Sequence, residues 1–101
     1  MKDISKRVGV YVIKAIFKNS NNNNVLGCKV RMGFISKKHK LYDQDFKEIK
    51  ILDIRRFNNS LKEYEYISKN YEFGIVLDDT ENIERFKLNK LIMGEELWEL
   101  S

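Results

Sequence analysis

VGVYVIKAIF, residues 8–17, is the stretch on which the fold turns. It is dense in β-branched and aromatic side chains and apolar on both alternating faces, so it reads as a strand buried on two sides. Lys18–Asn24 follows as a turn, because Ser and Asn bond their own backbone and Asn tolerates left-handed conformations. VLGCKVR, Val25–Arg31, is a second strand in which Gly27 marks a bulge or a close backbone approach. Gly33 then permits the next reversal. Ile35 and Lys40–Tyr42 form a third, interrupted strand beside a basic turn of Lys37, Lys38, His39 and Lys40, and Asp43–Phe46 closes a hairpin.

The second half continues in the same idiom. EIKILDIRRF, Glu48–Phe57, is a long strand with Ile49 and Ile51 on one face and Leu52 and Ile54 on the other. Ser60-x-x-Glu63 fits a capping box, so a helical turn can begin there, yet Leu61–Ile67 also alternates as a strand does. The strand reading is preferred. Tyr71–Leu77 is a strand, Asp78–Lys90 a polar connection holding Ile83 and Phe86, and Ile92–Leu100 a final strand containing Trp98, with Gly94 at its turn. The expected class is all-β: a small closed β-barrel of six to seven mostly antiparallel strands, one domain over residues 1–101 with residues 1–7 a flexible start. Closure removes the exposed edges that an open sheet of this composition would carry.

Charge is unevenly spread. Residues 1–50 hold 12 Lys/Arg against 4 Asp/Glu, and residues 51–101 hold 7 against 11. A basic first half and an acidic second half suggest one surface that faces a polyanion, against the simpler alternative of solvated lysines. The heavy use of Lys, Asn, Ile, Tyr and Phe, the absence of Pro and the run Asn21–Asn24 are compositional bias of an AT-rich kind and carry no mechanism. No apolar run approaches the roughly 20 residues of a membrane span. Met1–Arg7 is polar and no apolar signal region follows it, so secretion and membrane insertion are not expected.

Catalytic chemistry finds few residues to use. His39 is the sole histidine and sits among lysines, where a solvated side chain is expected. Cys28, the sole cysteine, lies in an apolar strand, where a thiol behaves as a small hydrophobe. It excludes an internal disulfide and a multi-cysteine metal site, which suits a reducing compartment. No phosphate-binding glycine loop is present, and the acidic pairs Asp78–Asp79 and Glu95–Glu96 are adjacent, so on a strand their members face opposite ways. The expectation is a non-enzyme without metal or cofactor.

Several of these stretches share an order and spacing with a known pattern. Val8–Phe17, Ser20, Val25-Leu26-Gly27-Cys28-Lys29-Val30 and Gly33-Phe34-Ile35 resemble the run VFxxSxxxxVAGCxVxxGxI of bacterial and organellar translation initiation factor 2, in its last barrel. Ile54-Arg55-Arg56-Phe57 resembles that family's LKRF, Tyr71-Glu72-Phe73-Gly74 its YECG, and Gly94-Glu95 its GD. Phe73 stands where the family usually has Cys, and Asn21 where Lys is common.

The resemblance implies a barrel like the second domain of translation-factor GTPases, and a fragment of a longer multidomain factor. GTP and magnesium would then belong to a GTPase domain outside this chain. It implies binding of the formylmethionyl acceptor end of initiator tRNA, with the ribosome met through the parent factor and the barrel monomeric. The residues so implicated are Gly27, Cys28, Arg55, Arg56, Phe57, Glu72, Phe73 and Gly74. Cys28, Phe73 and Gly74 would wall a pocket, one of Arg55 and Arg56 would contact phosphate while the other braces it, and Phe57 would stack the terminal adenine. The compartment implied is a bacterial-type cytoplasm, a mitochondrion or a plastid. The alternatives are a related factor barrel, or a small basic RNA-binding barrel, docking on rRNA or a partner domain without formyl recognition.

Overall fold

The apolar decamer lies inside a longer strand. In the computed structural model, which describes residues 2–88 and 90–100 (main chain only for residues 2–5 and 97–100), β1 runs from Lys2 to Lys18. It is followed by β2 (Asn24–Ser36), β3 (Lys40–Tyr42), β4 (Ile51–Arg56), β5 (Asn59–Ser60), β6 (Tyr66–Ser68), β7 (Glu72–Leu77), a short helix α1 (Glu84–Leu88) and β8 (Leu91–Leu100). Residues 2–7, expected as a flexible start, pair with β8 from Lys2↔Leu100 onward. Decisive for the architecture is the long β1–β2 hairpin, since β1 also pairs with β8 and β2 with β7.

The strand order is β3-β8-β1-β2-β7-β4-β5, with β6 on the far end of β2, and every ladder among the described residues is antiparallel. This sheet curls into a half-barrel. Its open side is crossed by the chain between β3 and β4: Tyr42 bridges Glu48, Ile49 N–H donates to Leu41 O at 2.8 Å, and Asp78 N–H donates to Lys50 O at 3.0 Å. The expected all-β barrel is therefore present, with eight strands among the described residues rather than six or seven and a seam made by one isolated bridge and the backbone hydrogen bonds beside it.

Of the four register shifts in the ladders among the described residues, two decide the facing of the later half of β1 and of β4. Ile13 faces Cys28 and Ala15 faces Gly27, so Lys14 is an extra residue in β1. Ile51 faces Leu77 and Asp53 faces Val76, so Leu52 is extra in β4. Each inserted residue reverses the face of everything beyond it. Tyr11 and Ile13 are buried while Phe17 is 51% exposed, and Ile54 is buried while Leu52 is exposed. The expected shared face of Leu52 and Ile54 fails for this reason. The expected burial of β1 on two sides fails because the sheet is a single layer whose outer face, with Val8, Val10 and Val12 only half-buried, meets solvent.

Inside the curl lie Tyr11, Leu26, Cys28, Val30, Ile35, Ile54, Phe73, Ile75 and Ile92. Each fully buried aliphatic side chain of this size contributes about 1.5–3 kcal/mol. Phe86 of α1 joins the same core, and Asn82 Oδ1 accepts the Glu84 N–H at the start of its helix. Arg85 ties α1 to the β3–β4 connection, with its Nη1 2.7 Å from Glu81 Oε1 and its Nε 3.2 Å from the buried Asp43.

Other local expectations change with the backbone. Gly33 does not reverse the chain; it lies within β2 at a φ of 71°, opposite Gly9, and Ile35 continues the same strand to pair with Ile67 of β6. Gly94 is likewise inside β8, paired with Gly9. Leu61–Ile67 is neither a whole strand nor a helix: Glu65 N–H donates to Lys62 O at 3.0 Å in a turn, and only Tyr66 onward is β6. His39 is buried, with Nδ1 accepting the Ser36 N–H at 3.2 Å and its ring edge-on to Phe34 at 5.0 Å. Burial holds its pKa below the ordinary histidine value against an opposing pull from Glu96. It serves the turn rather than the solvent.

Candidate nucleic-acid interface

The bulges that reverse β1 and β4 also assemble a surface. With Lys14 and Leu52 looped out, Ala15, Gly27, Gly74 and Arg55 become direct neighbours across β1, β2, β7 and β4. Gly27 and Gly74 are cross-strand partners, so the middle of this row has no side chains and its floor is bare backbone. A groove of about 530 Å³ lies over it. Phe17 overhangs one side, its ring 3.4 Å from where a Cβ on Gly27 would stand. Phe57 and Arg55 border the other side, and Asn19, Ser20 and Asn21 of the β1–β2 turn form the lip.

That lip is internally braced. Asn19 Oδ1 accepts the N–H groups of Asn21 and Asn23, each at 3.0 Å, and Asn22 takes a left-handed φ of 64°. Asn19, just ahead of the asparagine run, thus supplies the turn's hydrogen bonds, as Asx residues do.

Phe57 occupies the tight β4–β5 hairpin with a φ of 55° and is 91% exposed. A bulky residue in this backbone region is strained, by about 1–3 kcal/mol. The turn holds an aromatic ring out in water, where burial contributes nothing. Arg55 donates from Nη2 to Asn58 O across the same hairpin, which fixes its guanidinium at the groove wall. No carboxylate pairs with Arg55 among the described residues. Arg56 faces the other way, 3.4 Å from Glu65 and donating to Tyr66 O at 3.0 Å.

Six of the eight residues singled out in the sequence line the groove: Gly27, Arg55, Phe57, Glu72, Phe73 and Gly74. Phe73 does so with its ring turned inward, 4% exposed and edge-on to Tyr11 at 5.3 Å. Cys28, opposite Phe73, is 1% exposed, and burial pushes its thiol pKa far up. Neither side chain forms the wall expected of it. Arg56 lies in a neighbouring groove with Tyr66 and Tyr71, and Phe57 and Glu72 border both. Sequence reading missed Phe17, whose outward turn depends on the Lys14 bulge; a lysine amid an apolar run was its only signal. It also missed Tyr66 and Tyr71 as surface rings.

Fold and groove together define an antiparallel β-barrel module whose surface offers backbone, flat rings and one fixed guanidinium. No family model matches this chain, and no curated protein matches it in sequence. Among solved structures it is similar to the crystal structure of GDP-bound aIF5B from Aeropyrum pernix, with a TM-score of 0.66 and 19% identity over 88% of this chain. The chain spans 15% of the length of that structure's chain, so the likeness is to one domain-sized portion of it.

Proposed function

We propose that this chain is the tRNA-binding barrel of a translation initiation factor and that its glycine-floored groove takes the aminoacylated 3′ end of initiator tRNA. The observation that carries the reading is the convergence of Gly27, Arg55, Phe57, Glu72 and Gly74 on one groove from three strands and a hairpin. The fold likeness to an archaeal initiation factor supports the translation role. In this reading Phe57 stacks the terminal base, since unpaired bases are recognised on aromatic faces. Arg55 bonds the adjoining phosphate through a forked guanidinium. The Gly27–Gly74 floor admits the aminoacyl group against backbone. The chain binds and does not itself catalyse; GTP turnover and magnesium belong to another domain of the parent factor, working in a bacterial-type cytoplasm or an organelle.

Formyl recognition is the finer part of this proposal. Formylation removes the ammonium charge, which favours entry between the Phe17 and Phe57 rings over a floor of already paired backbone. Glu72, at the groove's edge, supports the opposite reading, because a carboxylate there attracts an unblocked ammonium. Titration with formylated, unformylated and deacylated initiator tRNA separates the cases. The expected order is formylated tightest, by about tenfold or more, the loss of about 1.4 kcal/mol. Tighter unformylated binding establishes the Glu72 reading instead. Indifference to aminoacylation removes the aminoacyl group from this groove, and with it the proposed reading of the aminoacylated end.

A further inference from the structure

Beyond Phe57 the surface continues in a second groove of about 640 Å³, walled by Tyr66 and Tyr71, which are 61% and 66% exposed. Past Asn70 it meets a third depression of about 560 Å³ that gathers Lys29, Arg31 and Lys69. Asn70 borders both, at a left-handed φ of 77°, and its N–H donates to Val30 O at 2.8 Å, docking the β6–β7 turn onto β2. None of the three cations is paired with a carboxylate among the described residues. Glu72 is the cross-strand partner of Lys29, so that cation has a carboxylate beside it, though not in a salt bridge. Three exposed rings and three cations therefore lie along one path from the glycine floor.

We propose that this path is a track for an unpaired RNA strand, with bases on Phe57, Tyr71 and Tyr66 and phosphates over Lys29, Arg31 and Lys69. The chemistry fits a single strand better than its competitors. A duplex keeps its base faces stacked and offers no ring to the tyrosines. An acidic peptide satisfies the cations but leaves the rings without partners. Aromatic shelves beside a cationic groove are how unpaired nucleic acid is held without regard to sequence. The track takes its direction, terminus at the glycine floor, from the acceptor-end reading; stacking and charge complementarity stand without it.

The test uses the whole chain and fluorescence anisotropy with a labelled single-stranded RNA of about four nucleotides, a plain 3′ hydroxyl at its end. A blunt RNA hairpin whose paired strands are joined by a non-nucleotide linker, and polyglutamate, serve as comparisons. The strand is expected to bind about tenfold or more tighter than the hairpin, because stacking is strong enough per base to give that factor. Changing Tyr66 and Tyr71 together to Ala should weaken the strand about tenfold or more, while Phe at both positions retains binding. Changing Lys29, Arg31 and Lys69 to Gln should flatten the log–log salt dependence by about 0.7 per cation, whereas Lys87→Gln on α1 leaves it unchanged. Equal affinity for strand and hairpin, neutral tyrosine variants with circular dichroism showing an intact fold, or polyglutamate competing as well as RNA would each overturn the track. Failure of tRNA to depend on aminoacylation, with the oligonucleotide results as expected, would remove the reading of the aminoacylated end and leave the track.

Discussion

All five glycines of the chain fall in two cross-strand rows, and the rows have opposite fates. Gly94, Gly9 and Gly33 cross β8, β1 and β2, and the ring of Tyr11 lies against the first two. A Cβ on Gly9 would stand 2.5 Å from the Tyr11 hydroxyl and 2.6 Å from Phe34 O, and one on Gly94 would collide with the same hydroxyl. That hydroxyl donates to Phe34 O at 2.7 Å. Here the protein has filled the hollow that its missing side chains make. Across Gly27 and Gly74 the nearest atoms to an added Cβ are 3.4 Å away, an ordinary contact, and the hollow opens to solvent. Packing demands the first row and not the second. Absent side chains that the fold does not need point to something outside the fold.

The comparison can be broken in order of size. Phe73 supports the filled row by its edge contact with Tyr11. Phe73→Ala should cost about 3–5 kcal/mol through lost burial and the cavity left behind, read by urea denaturation. If it costs little, the inward ring is not what holds this region. Gly9→Ala should cost about 1–3 kcal/mol or more by overpacking, since one of the clashing atoms is backbone. Tyr11→Phe should cost about 1 kcal/mol for the lost hydrogen bond, and combined with Gly94→Ala it should cost less than the two changes summed. Strict additivity in that cycle would show that the hydroxyl does not fill the row. The smallest effect on stability is expected for Gly74→Ala, within about 0.5 kcal/mol of the parent. The same change should weaken aminoacyl-tRNA binding about tenfold; a large loss of stability with unaltered affinity would make both rows structural.

How far the sequence carried the reading depends on what a single added residue does. Val8–Phe17, Val25–Arg31 and Tyr71–Leu77 declare themselves as strands through β-branched and aromatic density, and β1, β2 and β7 contain them. The looped-out residues Lys14 and Leu52 leave almost no mark in composition, yet they decide that Phe17 and Arg55 face outward. Five residues of helix with one buried side chain, Phe86, are likewise too short for a periodic signal. The groove was half legible. Alternation separates Arg55 from Arg56, and the same rule places Cys28 opposite in direction to Gly27 and Phe73 opposite to Gly74. Applied to those pairs, it sends both expected wall residues to the core, where they lie. His39 illustrates the remaining gap, since its burial depends on Phe34 and Ser36 folding back over it, a tertiary event with no local signature.

The lone thiol offers a clock. Cys28 sits on the underside of the Gly27–Gly74 floor, buried and held protonated, so an alkylating reagent reaches it only when β2 and β7 part. The rate of modification under native conditions therefore counts openings of the sheet beneath the groove. A ligand seated on the upper side would slow that count from across a single layer of backbone, letting occupancy be timed without a label on either partner.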